Sequence, residues 1–247
     1  MASSVEPIPG QAAAIADLSR ERALVVADYH AGLEVALRWD GVSVPSKAPA
    51  RREQLVRLRE ESNTDRVIVL GDFGNAIGAG SNEEIEEIHT LLAALDCPVT
   101  VVKGNHDGDI EEHIDGIDVT PAHGIRLGDV GFAHGHTWPA PDVLDAEILC
   151  TAHEHPQVRL TDDVGGQRTE RVWLRGTVDP APFAEFHGRE FDGGAPFVVF
   201  PAFNDLVGGT WVNVQEDGFL SPFLPAGLRD GEAYLLDGTR LGNYDRI

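Results

Sequence analysis

Three short apolar runs each end within three residues of a side chain suited to binding a metal, and this coupling restricts the fold more than any other feature. Leu24-Val25-Val26-Ala27 leads into Asp28 and His30, Val67-Ile68-Val69-Leu70 into Asp72, and Val99-Thr100-Val101-Val102 into Asn105. Runs of this length and continuity read as strands buried on both faces. Residues 50–61 read as a helix with Leu55, Val56 and Leu58 inward and Arg51, Arg52, Arg57 and Arg59 on a solvated face, a phosphate-contacting edge being the alternative. Ser81 with Glu84 three residues on reads as a capping box opening a helix that runs to about Leu95. Strand, helix and strand in alternation predict neighbouring parallel strands.

Residues 11–18 and 22–27, separated by Ser19-Arg20-Glu21, read as an opening hairpin. Beyond Gly108 the apolar runs become shorter: residues 125–127, 130–133, 148–150, 172–174 and 197–200 read as strands joined by tight turns. Residues 162–169 form a polar, Gly-containing turn, and Asp237-Gly238 is a hairpin signal. No repeat, low-complexity tract or linker divides the 247 residues, so one domain spanning 1–247 is expected.

The polar groups follow a fixed order. Asp28 and His30 form D-x-H, Gly71 and Asp72 form G-D, and residues 104–107 read G-N-H-D. Two H-x-H pairs follow, His134 with His136 and His153 with His155. Two carboxylates, an amide and several imidazoles suffice to hold two divalent cations about 3.5–4 Å apart, the usual apparatus for displacement at phosphorus. The chain therefore reads as a metal-dependent phosphoesterase. On an extended segment alternate side chains face one way, so Asp28 and His30 can share an ion, as can His153 and His155. Glu154, between the last two, is expected to face solvent. Asp72 follows a glycine that lets the backbone turn close to a ligand, and its two oxygens can bridge two cations. Asn105 supplies a neutral oxygen where another charge would weaken attraction for an anion.

Composition narrows the setting. Net charge is −22, and among 19 basic residues only Lys47 and Lys103 are lysines. Such a surface repels itself in dilute buffer, a penalty that molar salt removes by cutting the Debye length to about 3 Å. A salt-accumulating cell is the expected source. Cys97 and Cys150 give no disulfide framework and read as small buried apolar residues. The opening residues 1–10 carry no basic or apolar leader signature, and no apolar run is long enough to span a membrane, so a cytoplasmic location is expected.

The ordered motifs resemble the calcineurin-like metallophosphoesterase superfamily, and more closely the archaeal phosphoesterases related to the SbcD nuclease subunit. The likeness extends from the first motif, residues 26–34, and Val42-Ser43-Val44-Pro45 to Phe200-Pro201-Ala202-Phe203-Asn204 with Gly208-Gly209, covering about residues 10–215. It implies a four-layer αββα sandwich: two mixed β-sheets face to face, flanked by helices. One metal falls to Asp28, His30 and His155, a second to Asn105, His134 and His153, and Asp72 bridges. The implied cofactors are two divalent ions, Mn²⁺ foremost, with Zn²⁺ or Fe as alternatives. A bridging hydroxide attacks phosphorus in that pattern. His106 faces the scissile phosphate and steadies charge or protonates the leaving oxygen. Asp107 orients His106 or is simply a turn residue.

Two departures stand out. Ala152 replaces the glycine of the usual last motif, which changes no ligand. Asn75 stands where nuclease-like relatives often carry a substrate-facing histidine, and this weighs against nuclease activity more than against metal binding. Asn75, Asn105 and His106 are the expected substrate contacts. The substrate is a phosphate ester, with DNA or a nucleotide as candidates, and the acidic surface opposes a polyanion at low salt. The alternative is a non-catalytic metal-binding or protein-binding scaffold of the same fold. It is disfavoured because every expected ligand and His106 are present. His89, His113, His123 and His187 read as solvated or core-bonded, and Trp138 and Trp173 as packing residues. His136 stays open between support for the site, substrate contact and solvent.

Overall fold

The computed structural model describes residues 4–78, 80–214 and 218–247. The expectation about a leader concerns residues 1–10, of which 1–3 lie outside the described residues. The first half contains β1 (Ser4–Pro7), β2 (Ala13–Asp17), β3 (Arg22–Val26), α1 (Leu33–Trp39), α2 (Ala48–Ser62), β4 (Arg66–Val69), α3 (Asn82–Leu95), β5 (Val99–Val102) and β6 (Ile117–Thr120). Their strands form one sheet in sequence order, antiparallel from β1 to β3 and parallel from β3 to β6. The hairpin and the parallel run match the pattern of apolar segments.

The second half supplies β7 (Ile125–Leu127), β8 (Val130–Phe132), α4 (Pro141–Leu144), β9 (Ile148–Thr151), β10 (Gln157–Thr161), β11 (Gln167–Val178), α5 (Ala181–His187), β12 (Pro196–Val199), β13 (Leu228–Leu235) and β14 (Arg240–Asn243). They order as β14-β13-β11-β12-β9-β8-β7, with β10 paired to β11. β8, β9 and β12 run parallel and their neighbours antiparallel, so this sheet is mixed too.

Strand alternation builds the layers. Ala23, Val25, Ile68 and Leu70 of the first sheet meet Phe132, Cys150, Trp173 and Phe200 of the second in one buried core. The intervening Leu24, Val26, Val67 and Val69 turn the other way, onto Leu55 and Leu58 of α2 and Ile88, Leu91 and Leu95 of α3. On the second sheet Leu149, Val172, Leu174 and Val199 pack outward on Val143 and Leu144 of α4 and Phe183 of α5. Two mixed sheets lie face to face with helices outside, as the resemblance implied. No helix among the described residues is long and apolar enough to cross a membrane.

One helix face departs from expectation. Arg51 is buried rather than solvated, and its guanidinium bonds Glu87 at 2.6 Å and Glu34 at 3.2 Å. Glu87 in turn accepts from the Gly32 N–H and Glu34 from the Lys47 N–H, both at 2.9 Å. The guanidinium also lies 5.2 Å from the Tyr29 ring centroid. A period-based reading sends every arginine outward. Here two buried carboxylates supply the partners that burial of a charge requires. This cluster ties α1, α2 and α3 together beneath the Asp28–His30 turn.

Candidate metal centre

The polar ends of β3, β4 and β5 are joined by backbone bonds that place their side chains together. The Asp28 N–H donates to the Gly71 carbonyl at 3.2 Å and the His30 N–H to the Asp72 carbonyl at 2.9 Å. From the other sheet, the Ala152 N–H donates to the His134 carbonyl at 2.7 Å. Two sets of potential ligands result, Asp28, His30, Asp72 and His155, and Asp72, His134 and His153, each with its ligand atoms within 4.8 Å of one another. Asp72 belongs to both.

The pairs converge, but not through extended backbone. Asp28, His30, Asp72, His153 and His155 all have positive φ, between 44° and 70°. Strained conformations of this kind persist where surrounding structure holds them, and they cluster at functional sites. The residues between the ligands are not solvated. Tyr29 packs between Phe73 and Phe203. Glu154, expected to face solvent, is fully buried. Its carboxylate accepts from the Leu220 N–H at 3.0 Å, the Ser221 N–H at 2.6 Å and the Thr210 hydroxyl at 3.2 Å. Side-chain alternation holds along both triplets, while the backbone beneath it is left-handed.

Small residues make room. An added Cβ at Gly71 (φ +78°) would lie 2.0 Å from His134 Nδ1, and one at Gly104 would lie 2.2 Å from Asp72 Oδ1. Both glycines are required by close approach.

The ligand geometry has features expected of a cation site. Both Asp28 carboxylate oxygens are buried without a hydrogen-bond partner, as are Asn105 Oδ1 and His134 Nε2. Unpartnered buried carboxylate oxygens are costly unless a cation satisfies them. Asp28 Oδ1 stands 3.2 Å from His155 Nε2, Asp72 Oδ2 3.4 Å from His134 Nε2, and the Nε2 atoms of His30 and His155 are 3.4 Å apart. Two donors about 2.1 Å from one ion lie about 3–3.5 Å from each other.

Tautomers are set from behind. His134 Nδ1 donates to the Leu70 carbonyl at 3.0 Å and His155 Nδ1 to the Gly208 carbonyl at 2.9 Å. A carbonyl only accepts, so each Nδ1 carries a proton and each Nε2 is the atom that faces the site. Burial opposes an imidazolium at His134, but Asp72 and then Asp28 outweigh it and push its pKa up to about 9. Burial tends to raise Asp72 in turn, yet His134 and His30 hold it well below the usual carboxylate range. Burial keeps His30 and His153 neutral, each lowered to about 4. Neutral His30 and His153 beside an ionised Asp72 suit a divalent metal, whose binding would release the proton that the carboxylates hold on His134.

His106 donates from Nδ1 to the Asn75 carbonyl at 2.6 Å, and its ring packs against His30 at 5.2 Å between centroids. Asn75 therefore orients His106 through its main chain. Asp107 does not perform that role. It is buried, its oxygens accept from the N–H groups of Asp72, Phe73, Gly74 and Gly104, and burial followed by the Asp72 charge pushes its pKa up to about 6. Ser81 caps α3 as expected by accepting from the Glu84 N–H, but the Glu84 carboxylate reaches Asn75 and Ala76 N–H instead of closing the box. His136 lies beside His134 and His153 and belongs to neither ligand set. His187 bonds the Pro139 carbonyl, Trp173 is buried between the sheets, and Trp138 stacks on Phe186, in line with their packing roles.

Asn204 belongs to the stretch that resembles the archaeal branch, and its role is structural support. Its Nδ2 donates to the carbonyls of Tyr29 at 3.1 Å and His30 at 3.3 Å, holding the first ligand turn from below. Its place two residues before Leu206, whose N–H its own Oδ1 accepts, gave no signal beyond that resemblance.

The calcineurin-like phosphoesterase family model matches residues 21–185, about two-thirds of the chain. The chain belongs to this family. The calcineurin-like phosphoesterase fold is also that of the nuclease MPE from Pseudomonas putida, 19% identical, which aligns over 96% of this chain and 100% of its own with a TM-score of 0.57. Weaker likenesses are the phosphoesterase Yfce of E. coli (18% identity, 57% and 73% of the two chains, TM-score 0.35) and a Vps29 double mutant of Entamoeba histolytica (20%, 76% and 79%, TM-score 0.34). No curated protein matches this phosphoesterase chain.

Proposed function

We propose that this chain, working as one domain over residues 1–247, hydrolyses a phosphodiester at a site holding two divalent metal ions, Mn²⁺ foremost. The observation that carries the proposal is the sharing of Asp72 between the two ligand sets. A carboxylate common to two cations offsets their repulsion. Asp28, His30 and His155 would hold one ion and Asn105, His134 and His153 the other, which gives the unpartnered Asp28 and Asn105 oxygens a partner. Paired divalent ions supply Lewis acidity at the phosphoryl oxygens and lower the pKa of bound water.

The protein's own groups do the rest. His106, with its Nδ1 committed to Asn75, has Nε2 free to take up a proton and deliver it to the leaving oxygen. Asn105 and Asn75 would serve as substrate contacts. Asp107 acts by position, holding the Asp72 turn. A small phosphodiester fits the −22 net charge better than a long polyanion. A relation to the SbcD branch and a cytoplasmic, salt-rich setting belong to the same reading.

The test is Asp72→Asn. After chelation and titration with Mn²⁺ in molar KCl, the unaltered protein should bind two ions per chain and hydrolyse an aryl phosphodiester. The variant should lose at least one ion and more than about 100-fold in turnover, beyond what loss of an outer-shell partner costs. Unchanged turnover in the folded variant would refute the assignment.

A further inference from the structure

Beside the metal centre lies a cavity of about 610 Å³, and His155 forms the wall between the two. Its Nε2 faces Asp28, while its Nδ1 donates to the carbonyl of Gly208, which lines the cavity. The far walls are fixed by Glu154. Its carboxylate clamps the backbone of Leu220 and Ser221, and the Thr210 N–H returns to its carbonyl at 3.0 Å.

In a chain with 41 acidic residues, the described part of this lining turns little negative charge toward the space. Glu154 is the one carboxylate among the described residues that line it, and its oxygens are turned into backbone and hydroxyl donors. Trp211 is the largest side chain in the lining. Arg159 lies over its ring, 5.0 Å from the centroid, and the backbone on either side of it bonds Gln157, so the indole is held in place. At Gly208 an added Cβ would meet nothing within 4 Å, which shows that the wall there faces open space.

We infer that this cavity is a subsite for a flat, uncharged aromatic group carried by the phosphate substrate, a nucleobase or aryl ring, with Trp211 as its stacking wall. A fixed indole beside a phosphate-binding centre suits such a group, and stacking of one ring is worth about tenfold in affinity. The inference rests on the phosphoesterase reading, because the ring is delivered by a phosphate held at the metal centre.

Phenylphosphonate and methylphosphonate test it. Both present the same anionic head, both resist hydrolysis through their C–P bond, and only one carries a ring. Each is titrated calorimetrically into the Mn²⁺-loaded protein in molar KCl. Phenylphosphonate should bind about tenfold more tightly. Trp211→Ala and Trp211→Leu should each bring that ratio below about twofold while leaving methylphosphonate affinity nearly unchanged. Trp211→Leu keeps the apolar bulk without the ring and keeps the test decisive if Trp211→Ala does not fold. Equal binding of the two ligands by the unaltered protein, or an unchanged ratio in Trp211→Leu, overturns the subsite and leaves the metal centre standing. Failure of methylphosphonate to bind at all overturns the phosphoesterase reading and the subsite with it.

Discussion

Asp107 grips the turn that carries Asp72 with both of its oxygens: Oδ2 accepts from the Asp72 N–H at 3.0 Å and Oδ1 from the Phe73 N–H at 2.7 Å. The Gly74 and Gly104 N–H groups complete the set. Asp107→Ala leaves four buried donors unmatched, each costing about 1–3 kcal/mol. A stability loss of at least about 3 kcal/mol is expected by urea denaturation, with a smaller loss for Asp107→Asn, which keeps one oxygen. A near-neutral alanine variant would show that the turn stands without this carboxylate.

Gly71 is the counterpart on the other side of the same turn. Gly71→Ala would place a methyl group 2.0 Å from His134 Nδ1 and force the imidazole out. The left-handed backbone adds a cost of about 1–2 kcal/mol. Metal content measured by atomic spectroscopy should fall by one ion per chain, as it should in His134→Ala, which removes the ligand without straining the backbone. Full metal content in both variants would exclude His134 as a ligand.

Arg51 offers a test of the support beneath the site. Arg51→Met removes the cation between Glu34 and Glu87 and leaves two buried carboxylates facing each other, a change of about 3–5 kcal/mol. Arg51→Lys should recover only part, since an ammonium cannot bond both carboxylates in the same fork. Adding Glu34→Gln and Glu87→Gln to Arg51→Met should restore more stability than lysine does. Chemical denaturation of the four proteins decides the order.

Glu84 gives a pH dependence with a definite sign. Burial raises its pKa above the usual carboxylate value, against the pull of the Ala76 and Asn75 N–H groups. Above the unfolded pKa the folded chain still holds a proton that the unfolded chain has released. Its contribution therefore falls as pH rises through that window and is constant above it. The stability difference between the protein and Glu84→Gln should shift in the variant's favour as pH increases from about 4.5. A pH-independent difference would contradict the raised value.

Salt should act on the whole surface. With a net charge of −22, raising KCl from about 0.1 M to 2 M should raise the urea midpoint, because screening removes self-repulsion. A midpoint indifferent to salt would show that the charges are already compensated by their arrangement.

The parts of this protein that were legible in the sequence are those in which one strand makes its own signal. β3, β4 and β5 are continuous apolar runs, and the donors Asp28, Asp72 and Asn105 follow them directly. Strand order in the second sheet was not legible, because β9 pairs with β12 almost fifty residues later and no local pattern encodes that partner. Glu154 and Arg51 misled for a related reason. Charged residues are ordinarily solvated, and only partners distant in sequence, Ser221 for one and Glu34 and Glu87 for the other, make burial affordable. Asn204 belongs with them, since its amide is explained by carbonyls 174 and 175 positions away.

Five of the proposed ligands stand on left-handed backbone, and this limits how the centre can change. Aspartate, asparagine and histidine tolerate that conformation far better than branched or bulky side chains do. Exchanging a ligand at those positions therefore alters the chain's path as well as its chemistry. Attempts to retune metal preference should meet least resistance at Asn105 and His134, which are absent from that strained set, and the widest range of viable substitutions is expected there.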